Sequence, residues 1–194
     1  MRLTKFAYTE SAEQRFVLHL LLKVQSILHG RIKSHVESKK TMLNMFNTKQ
    51  DLIKMMRTDS CLHYNVKKVL IEREKTRQKD LLSNYHYYNS VIQTSQKRYE
   101  LISYAIKLTK QNKWHKVYAI ATEIMDSMLL SRETSFGYQD FSELASIRDY
   151  LNSNFTSREL RPDNESFREF NKELKTKLKV ERSLLSTLTY SSLL

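Results

Sequence analysis

Seven aromatic side chains, Tyr85, Tyr87, Tyr88, Tyr99, Tyr104, Trp114 and Tyr118, are interleaved with the cations Lys97, Arg98, Lys107, Lys110, Lys113 and Lys116. Exposed rings among cations can stack on unpaired bases while the cations neutralise phosphates, so this composition is one that a nucleic acid could use. The competing reading is packing, in which a tyrosine at the rim of a helix seam buries its ring and keeps its hydroxyl wet. Tyr85, Tyr88 and Tyr99 fall on a helical ladder and are assigned to packing. Tyr87 and Tyr104 are left as candidates for exposed contact. With them goes the densest cationic stretch, Lys67, Lys68, Arg73, Lys75, Arg77 and Lys79. Its alternate spacing spreads Arg73, Lys75, Arg77 and Lys79 around a helix rather than along one face. That suits diffuse attraction to phosphates or lipid headgroups, or plain solvation, better than groove reading.

Catalytic and metal chemistry find little to use. An iron or manganese site in a helical bundle needs Glu-x-x-His pairs projecting inward, and no such pair occurs. Asp59 and His63 are one helical turn apart with Cys61 between them, but no second pair supports a metal site. The six histidines are scattered, and Gly30 and Gly137 are isolated, so neither a nucleophile elbow nor a phosphate-cradling glycine loop can be assembled. Cys61 cannot form an internal disulfide and is read as a structural or merely reactive thiol. The expectation is a protein that is not an enzyme, with no cofactor, no metal and no small-molecule substrate.

The elements that carry these residues follow from what the chain lacks. Two glycines and one proline in 194 residues leave few points at which a helix must stop. A ladder at Leu81, Tyr85, Tyr88, Ile92, Ser95, Tyr99, Ile102 and Ile106 steps alternately by four and three, the period of a helix lying along partner helices. At the helical rise this ladder is roughly 38 Å long. Leu81, Tyr85, Tyr88, Ile92, Tyr99, Ile102 and Ile106 are the expected interaction seam.

A first helix is expected from Ser11, with apolar face Val17, Leu20, Leu21, Val24, Ile27 and Leu28, continuing more thinly through Ile32, Val36, Leu43 and Phe46. Gly30 marks a weak point where a partner backbone approaches closely. Thr48 signals a new cap and a short helix through Leu52, Ile53 and Met56, broken again at Arg57 to Ser60. From about Cys61 the chain stays helical to Lys110. Nine consecutive residues within that stretch, Glu72 to Asp80, have no apolar side chain, and they are read as a projection past the bundle or a hinge. Asn112 is placed to adopt a left-handed cap. A helix from Trp114 through Met128 follows, then a loop over 132–139. A helix opening at Asp140 carries Leu144, Ile147 and Leu151. A last helix, capped by Asp163 or Asn164, shows Phe167, Phe170, Leu174, Leu178, Leu185 and Leu188. Residues 183–194 hold no charge and are expected to pack.

The expected fold is therefore all-α, an elongated antiparallel helical bundle built on a long, coiled-coil-like helical hairpin. Residues 1–131 form the basic hairpin with a packing helix, and 132–194 form shorter helices on it, together one structural unit.

The net charge of +12 is uneven. Residues 1–116 carry 23 Lys or Arg against 9 Asp or Glu, net +14, whereas 117–160 carry 3 against 7, net −4. Such a basic surface suits phosphates, acidic lipid headgroups or an acidic protein. The longest apolar run is far short of the roughly 20 residues that span a bilayer. No hydrophobic leader is read ahead of the first helix, so an intracellular compartment is expected, cytoplasmic or nuclear, with mitochondrial import left open. Long basic hairpins followed by shorter helices serve membrane-remodelling polymers, ribonucleoprotein subunits and cytoskeletal adaptors alike, so architecture does not choose among functions. The leading expectation is a non-catalytic scaffold or adaptor subunit that binds other protein subunits or itself. Nucleic-acid binding through the phosphate backbone and association with an anionic membrane surface follow as alternatives.

Overall fold

The computed structural model describes residues 11–130 and 138–191, with side chains over 11–129 and 139–178. Among the described residues there are six helices: α1 (Ala12–Thr58), α2 (Tyr64–Lys110), α3 (Trp114–Leu130), α4 (Tyr138–Asn154), α5 (Ser157–Leu160) and α6 (Glu165–Ser191). The all-α class and the long hairpin of α1 and α2 are as expected. The expected loop over 132–139, with Gly137, falls largely outside the described residues, as do the side chains of Leu185 and Leu188 and the packing of the uncharged tail.

The chain divides into two compact units, Met1–His29 with Gln96–Leu194, and Gly30–Ser95. In the first, the start of α1, the end of α2 and the four later helices enclose one apolar core. Val17, Leu21, Val24, Ile102, Ile120, Ile124, Leu144, Ile147 and Leu151 are all buried in it. The helix starts and stops here are made by side chains. Ser11 Oγ accepts from the Gln14 backbone N–H while Gln14 Oε1 accepts from that of Ser11, a reciprocal capping box. The Gln14 amide then donates to the Thr109 carbonyl and to Asn112 Oδ1, which ties the start of α1 to the end of α2. Asn112 adopts φ 56°, the expected left-handed stop. Asn164, rather than Asp163, caps α6, accepting from the Phe167 N–H at 2.9 Å. The four-residue α5 was not expected, although Thr156 and Glu159 spell its capping box.

In the unit of residues 30–95, α1 and α2 run beside each other and are joined by Asp59 to His63. Several expectations need correction here. Thr48 starts no helix: its hydroxyl bonds back to the Asn44 carbonyl at 3.0 Å and α1 continues to Thr58. A Cβ on Gly30 would meet nothing within 4 Å, so no backbone approaches it. Val36 and Leu43 are not core: they are 44% and 45% exposed. The row of α1 that faces α2 is instead Ile32, His35, Lys39, Met42, Phe46, Lys49, Ile53 and Met56, every one buried or half-buried. Two lysines and a histidine in that row hid it from an apolar count.

The polar span 72–80 is packed along α1 within the hairpin of residues 30–95. Glu74 and Gln78 prolong the same four-and-three ladder from Leu81 back to Ile71 and Lys67, and Glu74 is only 5% exposed. Its carboxylate pairs with Lys49 at 2.8 Å and with Arg77, while the Gln78 amide reaches the Phe46 carbonyl. A polar pair at a seam position fixes which residues of two helices face each other, because any slip strands a charge.

Candidate interaction surface

Two helices cover only one stripe of each other, so a seam made by a hairpin alone stays partly open. The expected seam residues divide accordingly. In the first unit Ile102 is fully buried by the core around it, with Tyr99 and Ile106 half-buried at its edge. In the hairpin of residues 30–95, Leu81, Tyr85 and Tyr88 are only half-buried, and Ile92 is buried. Their partners lie on α1 of the same chain: the Lys39 ammonium sits 4.9 Å from the Tyr85 ring centroid, and His35 stacks near Tyr88 at 5.6 Å. Tyr99 meets His29 in the same manner within its own unit.

The candidate polyanion contacts are not gathered on one face. Lys67 donates to the Arg57 carbonyl across the hairpin, Lys75 pairs with Glu72, and Arg77 pairs with the seam residue Glu74. Lys68, Arg73 and Lys79 are exposed. Tyr87 is 42% exposed, edge-on to Tyr88, and Tyr104, 43% exposed, belongs to the other unit. At the hairpin end the Asp59 carboxylate accepts from the Cys61 N–H, so it serves the turn, and both Cys61 and His63 are exposed. Among the described residues no three His, Cys, Asp or Glu side chains converge as a metal site would need. No described helix is long and apolar enough to cross a membrane.

What the sequence did not reveal is an apolar surface on the hairpin. Val36, Leu43, Met45, Met55, Tyr64, Val66, Val69, Leu82 and Tyr87 are each more than 40% exposed, and all lie in residues 30–95. This segment also holds thirteen Lys or Arg against six Asp or Glu, net +7. Single exposed apolar residues are ordinary, and these nine are spread over several sides of the two helices, with Val36, Leu43 and Leu82 sharing one flank. The sequence signal was available as the residues left over once both four-and-three rows are taken out.

Packing displaces titratable groups in both units. Hydrogen bonding from Lys49, aided by the Arg77 charge and opposed by desolvation, holds the Glu74 carboxyl below its ordinary value. In the first unit, burial against Phe167 with Lys116 and Lys113 nearby lowers His115. Comparison with protein-family models, with curated proteins and with solved structures finds no match for this chain.

Proposed function

We propose that this chain is a non-catalytic helical scaffold or adaptor subunit, and that the hairpin of residues 30–95 is the part that binds other proteins. The observation that carries the reading is the number of large apolar side chains exposed on a hairpin whose own seam is only half covered. Exposed apolar area of this kind is stabilised by a protein surface that excludes water from it. Nucleic acid would satisfy the cations and leave Met45, Met55, Val66 and Val69 in water, which is why it ranks second despite the net +7.

Photo-crosslinking in the cells that make the protein tests this. With a benzophenone side chain in place of Met45 or Val69, both well exposed, discrete protein adducts are expected. Adducts to nucleic acid alone, or none from either position, would reject the scaffold reading.

A further inference from the structure

One flank of the hairpin is apolar at its centre and lined by lysines along its length. Lys39 defines it. The Lys39 ammonium donates to Asn89 Oδ1 at 2.6 Å across the hairpin, so both residues lie on the same side of the seam. Val36 and Leu43 are three residues before and four after Lys39, hence its neighbours on the α1 surface. Leu82, Lys75 and Lys68 precede Asn89 by successive steps of seven, hence in line with it on α2. Val36, Leu43 and Leu82, exposed by 44%, 45% and 43%, therefore stand along one groove between the two helices. Lys40 and Lys54 on α1, and Lys68 and Lys75 on α2, border it. Glu72 and Asp51, which pair with Lys75 and Lys54, stand one turn off these rows in exposed pairs that hold the cations only weakly.

We propose that this groove receives one further helix, an amphipathic helix from another protein with an apolar stripe bordered by Asp or Glu. The inference rests on the scaffold reading and names the partner's chemistry. Three features choose this occupant. Apolar residues seven apart on α1, faced by one on α2, match the heptad of a third helix in a coiled-coil groove. Lys40 and Lys54 beside the α1 apolar row, and Lys68 and Lys75 in line with Leu82, outnumber Asp51 and Glu72 and favour negative charge along the edges of the incoming helix. The same flank of a second copy would set lysine against lysine, and a nucleic acid would leave the three apolar side chains unused.

The probe is a synthetic helix of about four heptads with Leu at the apolar positions and Glu bordering them, beside a twin with Lys in place of Glu. Binding to the full chain is measured by fluorescence anisotropy. The Glu peptide is expected to bind at least about tenfold more tightly than the Lys peptide, a preference reduced by salt. Leu43→Glu with Leu82→Glu should weaken it by at least about tenfold. Both positions are exposed, so circular dichroism of that variant should be unchanged. Lys40→Glu with Lys68→Glu should cut the preference between the two peptides several-fold. Equal binding of both peptides, no binding, or indifference to either double variant would overturn the proposal. So would a loss, in the Leu variant, of binding to phosphatidylserine vesicles or to single-stranded RNA with no effect on the Glu peptide. Protein crosslinks from Met45 or Val69 without binding of the Glu peptide would reject this groove and leave the scaffold reading intact. Absence of crosslinks would reject both.

Discussion

Replacing Ile102 and Leu81 by alanine separates two positions that are equivalent in the ladder and different in the fold. Ile102 is 0% exposed and lies in the cluster that holds Leu21, Ile120 and Ile124. Ile→Ala removes three carbon groups, worth about 2.4 kcal/mol at ~0.8 per group, and the packed surroundings add a cavity cost of ~1 kcal/mol. The total is about 3.5 kcal/mol. The unit concerned has about 130 residues, hence an unfolding entropy near 0.27 kcal/mol/K and a melting shift of about 13 °C downward. Leu81 is half-buried in the other unit. Water takes up the space its side chain leaves, so Leu81→Ala should cost only about 1 kcal/mol.

The single tryptophan makes the assay selective. Trp114 packs 5.7 Å from Phe155 in the first unit, so its fluorescence follows the unfolding of that unit, whereas circular dichroism follows both. Ile102→Ala should move the tryptophan transition in urea strongly. Leu81→Ala should leave it in place and perturb only the dichroism curve. If Leu81→Ala costs as much as Ile102→Ala, the hairpin seam is as closed as the core and the argument for an open binding surface collapses.

Three further outcomes follow from the geometry. The Glu74 carboxyl, lowered in the folded chain by Lys49 and Arg77, stabilises the hairpin above its ordinary value of 4.5 and loses that contribution as pH falls through its folded pKa. The protection of the amides of residues 71–81, taken relative to the intrinsic exchange rate at each pH, should therefore fall in acid, and Glu74→Gln should flatten the dependence. His115 binds a proton less readily folded than unfolded, so the first unit should lose stability as pH drops through 6.5, as tryptophan-monitored urea titrations would record, and His115→Gln should remove that slope. Asn112→Gly should change stability little, trading the bond from Gln14 for an unstrained left-handed backbone. Asn112→Val should cost about 1–2 kcal/mol in the same titration, because a β-branched side chain resists φ 56°.

Much of the first unit was legible because its signals are local or strongly periodic. Val17, Leu21, Val24, Leu144, Ile147, Leu151, Phe167, Leu174 and Leu178 fall at helical spacing with no polar interruption, and all are buried. Ser11, Asn112 and Asn164 act on backbone groups within a few residues, so their roles can be read without knowing what lies across the fold. Between residues 30 and 95 the same counting failed. His35, Lys39 and Lys49 occupy seam positions by laying their stems along the partner helix and placing their polar ends on Tyr88, Asn89 and Glu74. An apolar stripe drawn through Val36 and Leu43 therefore took the flank for the seam.

The scarcity of glycine and proline, the four-and-three ladder and the capping side chains determined by themselves that this chain folds as helices, with two long ones side by side. Those are properties of the backbone and of residues close in sequence. Which stripe of each long helix is covered was decided by pairing at a distance, Glu74 with Lys49 and Lys39 with Asn89, and by how many helices surround each stretch of the ladder. Ile102 is enclosed by a many-helix core while Leu81 has only a two-helix seam, and no spacing rule within one helix can tell them apart. The physical reason is that burial counts neighbours from other elements, whereas periodicity records only that a face exists to be covered.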